Sequence, residues 1–156
     1  MIVNEVAKNV EKIISIDTAK NSFQVLVVNQ KTGKKKNTKV QRSKFVEYIL
    51  KQGPCLIFME SCSASQHWAR LFESFEFTVK LVAAQHVKAF LRNRRVKNDE
   101  RDAEAIYTCG IQPDTKFVRI KTVEEQTVAL LHTLRKAAVS QRAELSNRIR
   151  GILAEF

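Results

Sequence analysis

Cysteine is scarce in this chain. Cys55, Cys62 and Cys109 form no Cys-x-x-Cys pair, which argues against a disulfide framework and against a zinc knuckle. The three histidines, His67, His86 and His132, stand far apart with no HExxH spacing. Glycine and proline number only four and two, so collagen-like and low-complexity classes are excluded. No apolar run approaches the ~18 residues that a membrane-crossing helix needs. The opening MIVNEVAKNVEKIISID has no apolar stretch ahead of its charges and no small-residue cleavage site, so it is not a signal peptide. These absences together predict reduced thiols, a cytoplasmic location and no membrane partner.

What is present is charge of one sign. Against 16 Asp and Glu there are 27 Lys and Arg in 156 residues, a net +11. Such an excess fits a polyanionic partner, because each phosphate met by Lys or Arg releases condensed counterions. Nucleic acid is the commonest such partner. The length suits one domain with a real core and an appended helix.

Along the chain, IISID (13–17) and SFQVLVVN (22–29) read as strands, and KKNTKV (35–40) as an exposed basic third strand after a turn at Gly33. Lys31, Lys34, Lys35, Lys36 and Lys39 make that edge cationic, either to contact phosphate or to deter edge-to-edge pairing. RSKFVEYILKQ (42–52) has helical spacing with Ser43 as a candidate N-cap. CLIFME (55–60) is the continuous apolar run of a strand buried on both faces. Then come a helix over 61–75, a strand over 77–83, a helix over 84–95, and a helix over 99–110 closed by Gly110. The segment with Pro113 reads as a connection. From Val123, Leu131, Leu134, Ala138, Leu145, Ile149, Ile152 and Phe156 recur near a heptad seam, interrupted by Gln141 and Arg142. This predicts a long helix that either lies along its own domain or, the favoured reading, pairs with another helix in a dimer or in a following domain. The order of elements is α/β with a mixed sheet.

Four acids stand out. Asp17 ends the first strand and Glu60 ends the buried one. Asp99 and Asp102 sit at i and i+3, on one helix face. If the two strands are neighbours and the helix crosses their ends, four carboxylates converge. Such a cluster repels itself unless protons or cations neutralise it. Hard oxygen ligands favour Mg²⁺ or Mn²⁺ over zinc. Two such ions, about 3.5–4 Å apart, make a phosphoryl-transfer site. The basic residues Lys20, Lys88, Arg92, Arg94, Arg95 and Lys97 are the candidate nucleic-acid contacts.

The stretches IDTAKNSF (16–23), CLIFMESC (55–62), HWAR (67–70), VKAF (87–90), KNDERDAEAI (97–106), KFVRIK (116–121) and LSNRIRGILAEF (145–156) carry a family resemblance. Over about residues 13–156 the chain resembles the DEDD transposases and recombinases of bacterial insertion sequences, the IS-one-ten family, related to the Piv pilin-gene invertase. The resemblance implies an RNase H-like, RuvC-like domain over 13–121; the residues outside it read as an N-terminal extension over 1–12 and a coiled-coil-like interaction helix over 122–156. It places the four metal-binding acids at Asp17, Glu60, Asp99 and Asp102. It also implies DNA as substrate, a guiding bridge RNA, and a homo-oligomer. Ala84 departs from the family, which usually has a proline before the VK motif. The family also continues into a second domain with a nucleophilic serine. No serine here maps to that residue; Ser61, Ser63 and Ser65 read as capping and packing residues. The resemblance thus predicts the N-terminal catalytic part of such an enzyme, truncated or shortened. The alternatives are a stand-alone RuvC-like nuclease using water as nucleophile, and a non-catalytic nucleic-acid-binding module.

Overall fold

The computed structural model describes residues 4–91 and 99–154 of the chain. It divides into two units, Met1–Ile120 and Lys121–Phe156.

In the first unit, strands β1 (Lys12–Thr18), β2 (Ser22–Asn29) and β3 (Lys35–Gln41) form an antiparallel meander. Helix α1 (Phe45–Leu50) leads to β4 (Leu56–Glu60), and α2 (Ser65–Glu73) leads to β5 (Thr78–Val82). Both β4 and β5 run parallel to β1. After α3 (Ala84–Leu91) and α4 (Asp99–Gly110), a two-residue strand, β6 (Phe117–Val118), pairs antiparallel with β5. The sheet order is β3-β2-β1-β4-β5-β6. The mixed sheet expected from the sequence is therefore present, with one strand more than the spacing predicted. The pair at β6 is too short to leave a periodic signal.

Helices cover both faces, which is why the central strands are apolar at nearly every position. Ile14, Ile16, Val25, Ile57 and Met59 pack on one face with Phe45, Ile49, Trp68 and Phe72. Phe23 stacks on Phe45 at 3.9 Å, and Trp68 meets both rings edge-on. On the other face Ile13, Leu26, Phe58 and Val82 lie under Val87 of α3 and Ala103, Ile106 and Cys109 of α4. All three cysteines are free.

Helix α4 ends at Gly110, where the sequence placed its close, but not through a left-handed cap. A Cβ added to that glycine would come within 2.6 Å of the Phe58 ring. The missing side chain lets the end of α4 touch β4. A left-handed glycine does stop the earlier helix α1, at Gly53 with φ 72°. Ser43 is not an N-cap either. It sits inside a 3-10 turn, Arg42–Lys44, and neither that turn nor α1 begins with a side-chain cap bond. The 3-10 turn carries the chain from β3 into α1, so the extended-to-helical switch falls at Gln41, ahead of Ser43. Ser65 does close a local turn, its hydroxyl bonding the Cys62 backbone N–H and carbonyl, each at 2.9 Å.

The described chain opens with a turn that is tied to the end of α4. A 3-10 turn, Glu5–Ala7, starts at Asn4, whose carboxamide oxygen accepts from the Val6 N–H. Its backbone N–H donates to Ile111 at 2.8 Å, and its Nδ2 lies 3.2, 3.5 and 3.4 Å from the carbonyls of Gln112, Pro113 and Thr115. The start of the chain thus grips the loop leaving α4.

The second unit is a single helix, α5 (Val123–Leu153), opened by a full capping box between Thr122 and Glu125. It buries none of its residues, and Leu131, Leu134, Leu145, Ile149 and Ile152 are exposed. Replacing Thr122 with Ala should cost about 1 kcal/mol of helix stability. The check is faster hydrogen exchange at the Glu125 amide, which donates to the Thr122 hydroxyl at 3.2 Å. Exchange in the β-sheet should be unaltered.

Candidate metal and nucleic-acid site

The site starts from strand alternation. In β1, Ile14 and Ile16 face α1 and α2, so Ile13, Ser15 and Asp17 face α4. In β4, Phe58 faces α4, and so by the same period does Glu60. Ile16 pairs with Met59 in parallel register, so Asp17 and Glu60 are the next neighbours along the two strands. Two carboxylates thus stand side by side at the C-terminal end of adjacent parallel strands, where open α/β sheets place ligands.

Helix α4 brings the third. Its Ala103 carbonyl accepts a 2.7 Å bond from the buried Ser15 hydroxyl, which holds Asp102, the preceding residue, against the same edge. The Glu60 carboxyl responds. It is pushed above its ordinary pKa first by burial and then by the Asp102 carboxylate, with Lys88 of α3 pulling the other way. Asp99 opens α4, but its side chain lies outside the described residues.

Among the described residues, no three His, Cys, Asp or Glu side chains gather into a ready-made metal group. The approach is pairwise: Glu60 with Asp102 through their mutual repulsion, and Asp17 with Glu60 through register. The chemistry of these donors nevertheless fits a hard divalent cation. All are carboxylates, and the Asp102 repulsion that adds to burial in raising Glu60 is what a bound cation would relieve.

The basic residues are distributed around this edge. Lys88 acts directly on Glu60. Lys20 is exposed in the β1–β2 turn, at the end of the sheet that carries Asp17. Arg92, Arg94, Arg95 and Lys97 lie outside the described residues. On the cationic β3 side, Lys31 pairs with Glu11 at 3.0 Å and Lys35 sits over the Tyr107 ring at 5.6 Å, while Lys36 is exposed.

Three residues at this edge went unnoticed in the sequence. Ser15 is the polar member of an apolar run. Gln24 is buried opposite Asp17 on the α4 side, and its Nε2 donates to Asn37 Oδ1 at 2.6 Å. Polar residues at inward strand positions were the available signal for both. Arg42 carries its guanidinium over Trp68 at 5.2 Å and Phe23 at 5.8 Å, and Nη1 donates to the Lys20 carbonyl. That pairing needs tertiary contact and leaves no local trace.

The chain is thus an α/β protein whose mixed sheet carries carboxylates at the ends of its central strands. The family profile described as a transposase, DEDD type, IS110, matches residues 14–156. The chain belongs to the IS110 family of DEDD transposases. It is 38% identical over 157 residues to a Sinorhizobium fredii protein named as a transposase, y4pF/y4sB, covering 99% of this chain and 40% of that protein. It is 33% identical over 145 residues to the transposase for insertion sequence element IS1111A of Coxiella burnetii, covering 93% of this chain and 39% of the relative. The transposase for insertion sequence element IS1328 of Yersinia enterocolitica is 31% identical over 144 residues, covering 92% and 42%. The chain therefore spans about two fifths of the length of these curated relatives. No helix among the described residues is long and apolar enough to cross a membrane.

Proposed function

We propose that residues 13–121 are the metal-dependent catalytic domain of a DNA transposase, RNase H-like in the manner of RuvC. Asp17, Glu60, Asp99 and Asp102 are its acidic set in this reading. The observation that carries it is the meeting of Glu60 and Asp102 at the end of β4, in a chain of the DEDD transposase family. The antiparallel meander extended by two parallel strands supports the RNase H-like assignment.

In this reading the four carboxylates hold Mg²⁺ or Mn²⁺, two ions in all. Bound there, the ions would supply charge neutralisation for phosphoryl transfer on DNA. Lys88 partly offsets the Glu60 charge. Arg42, stiffened by two aromatic rings, and Lys20 offer backbone contacts beside the acidic edge. Arg92, Arg94, Arg95 and Lys97 are further phosphate contacts in this reading, by charge and by their place in the sequence. Such contacts position a strand without reading its sequence. Sequence choice would fall to a bridge RNA, and the covalent step to a serine on a separate domain. Helix α5, with its exposed leucines and isoleucines, would pair copies of the chain.

The test uses DNA binding and transposition together. The chain should bind duplex DNA with affinity falling roughly 100-fold between 50 and 200 mM salt, as expected for about four phosphate contacts. Asp102→Asn should leave this binding intact. In a protein that also carries the serine domain, the same substitution should abolish transposition. Full transposition by the variant would refute the assignment. Hydrolysis of branched DNA by this chain alone with Mg²⁺ would favour a stand-alone nuclease.

A further inference from the structure

Ser15 interrupts an isoleucine run, Ile13, Ile14, Ser15, Ile16, and is wholly buried. It lies opposite Leu26 on one side and Phe58 on the other, in the middle of the sheet. Its hydroxyl donates to the Ala103 carbonyl across 88 residues of sequence. Ala103 is also wholly buried. A small residue on the strand facing a small residue on the helix lets the two backbones close up.

Helix packing alone does not require this bond. A carbonyl inside a helix already accepts from the amide four residues on, and the serine uses its second lone pair. Alanine at position 15 would fill nearly the same space without a hydroxyl to satisfy. What the bond adds is a fixed distance between two elements. Two residues further along β1 is Asp17, and one residue back along α4 is Asp102. The bond therefore joins the two carboxylate-bearing segments at an interior point close to both.

We propose that Ser15 is a positioning residue for the acidic site: its bond to the Ala103 carbonyl sets the reach of Asp102 toward Asp17 and Glu60, and so the affinity for a divalent cation. The proposal rests on the carboxylate reading above.

The probe is Mn²⁺ alone, titrated calorimetrically into the chain. Ser15→Ala should raise the Mn²⁺ dissociation constant on the order of 10-fold in a protein that still folds by circular dichroism. Ser15→Cys, which keeps a weak donor, should fall between the two. Ile49→Val, on the opposite face of the sheet, removes one buried methylene and should leave Mn²⁺ affinity unchanged. Parental affinity in Ser15→Ala would overturn the proposal. So would a loss that simply tracks stability in both Ser15→Ala and Ile49→Val. If Ser15→Ala fails to fold, Ser15→Cys decides alone, and parental affinity there is the overturning result. The carboxylate reading fails separately. Its sign is a parent chain whose Mn²⁺ binding is absent, or indifferent to Glu60→Gln and Asp102→Asn, and this proposal then falls with it.

Discussion

Saturating Mg²⁺ or Mn²⁺ should raise the melting temperature of the chain, and Glu60→Gln should remove that rise. A ligand at 100 times its dissociation constant adds about 2.7 kcal/mol to the folded state. For a chain of this size that is a shift of about 5–10 °C. The pH dependence has a definite sign. Glu60 is raised in the folded state, first by burial and then by Asp102, so the folded protein holds its proton more tightly than the unfolded one. Without metal, Glu60 favours the fold below its unfolded pKa, and that contribution is lost as pH rises through the raised value. Glu60→Gln should therefore flatten the loss of stability above the ordinary carboxylate range and stabilise the metal-free protein at neutral pH. Metal binding runs the other way and strengthens as the carboxylate ionises. Differential scanning fluorimetry across pH, with and without Mn²⁺, reads both effects. An equal metal shift in parent and variant would exclude Glu60 as a ligand.

The second large effect is in the core. Phe58→Ala should cost about 3–5 kcal/mol, because the ring is wholly buried and its removal leaves a cavity under α4. Phe58 also stacks parallel on Phe117 at 5.8 Å, so β6 loses its anchor as well. A double-mutant cycle with Gly110→Ala sharpens the expectation. In the parent, the new methyl group meets the Phe58 ring and overpacking costs about 1–3 kcal/mol. In the Phe58→Ala background the ring is gone, and Gly110→Ala should stabilise by up to about 1 kcal/mol through helix propensity. Urea denaturation measures all four corners. A Gly110→Ala cost that persists without the ring would show that something other than Phe58 limits the approach of α4.

The strands and helices that carry long apolar patterns were readable from sequence, because burial on both faces of β1 and β4 forces near-continuous isoleucine, leucine and phenylalanine. The pairing of β1 with β4 was assumed there and is supplied by the structure. Position in the sheet comes from long-range hydrogen bonding, which no local window contains. Asp17, Glu60 and Asp102 could be nominated from strand ends and helix spacing. The contacts that aim them could not. Ser15 reaches Ala103 across 88 positions, and Arg42 finds Trp68 only once α2 has folded onto the sheet. At Gly110 the helix end was legible but its cause was not: a glycine there suggests a left-handed cap, whereas a neighbouring ring demands the missing side chain.

The grip of Asn4 on the chain beyond α4 has a practical side. A fragment started at Ile13, tidy on paper, would strip Ala7, Val6 and Val10 from the apolar layer beneath α4 and leave the carbonyls of Ile111 and Gln112 without the partner Asn4 provides. The helix bearing Asp102 would lose its rear mooring. Shortened versions intended for crystallisation or binding assays should keep the first dozen residues, and affinity tags belong on a spacer ahead of them.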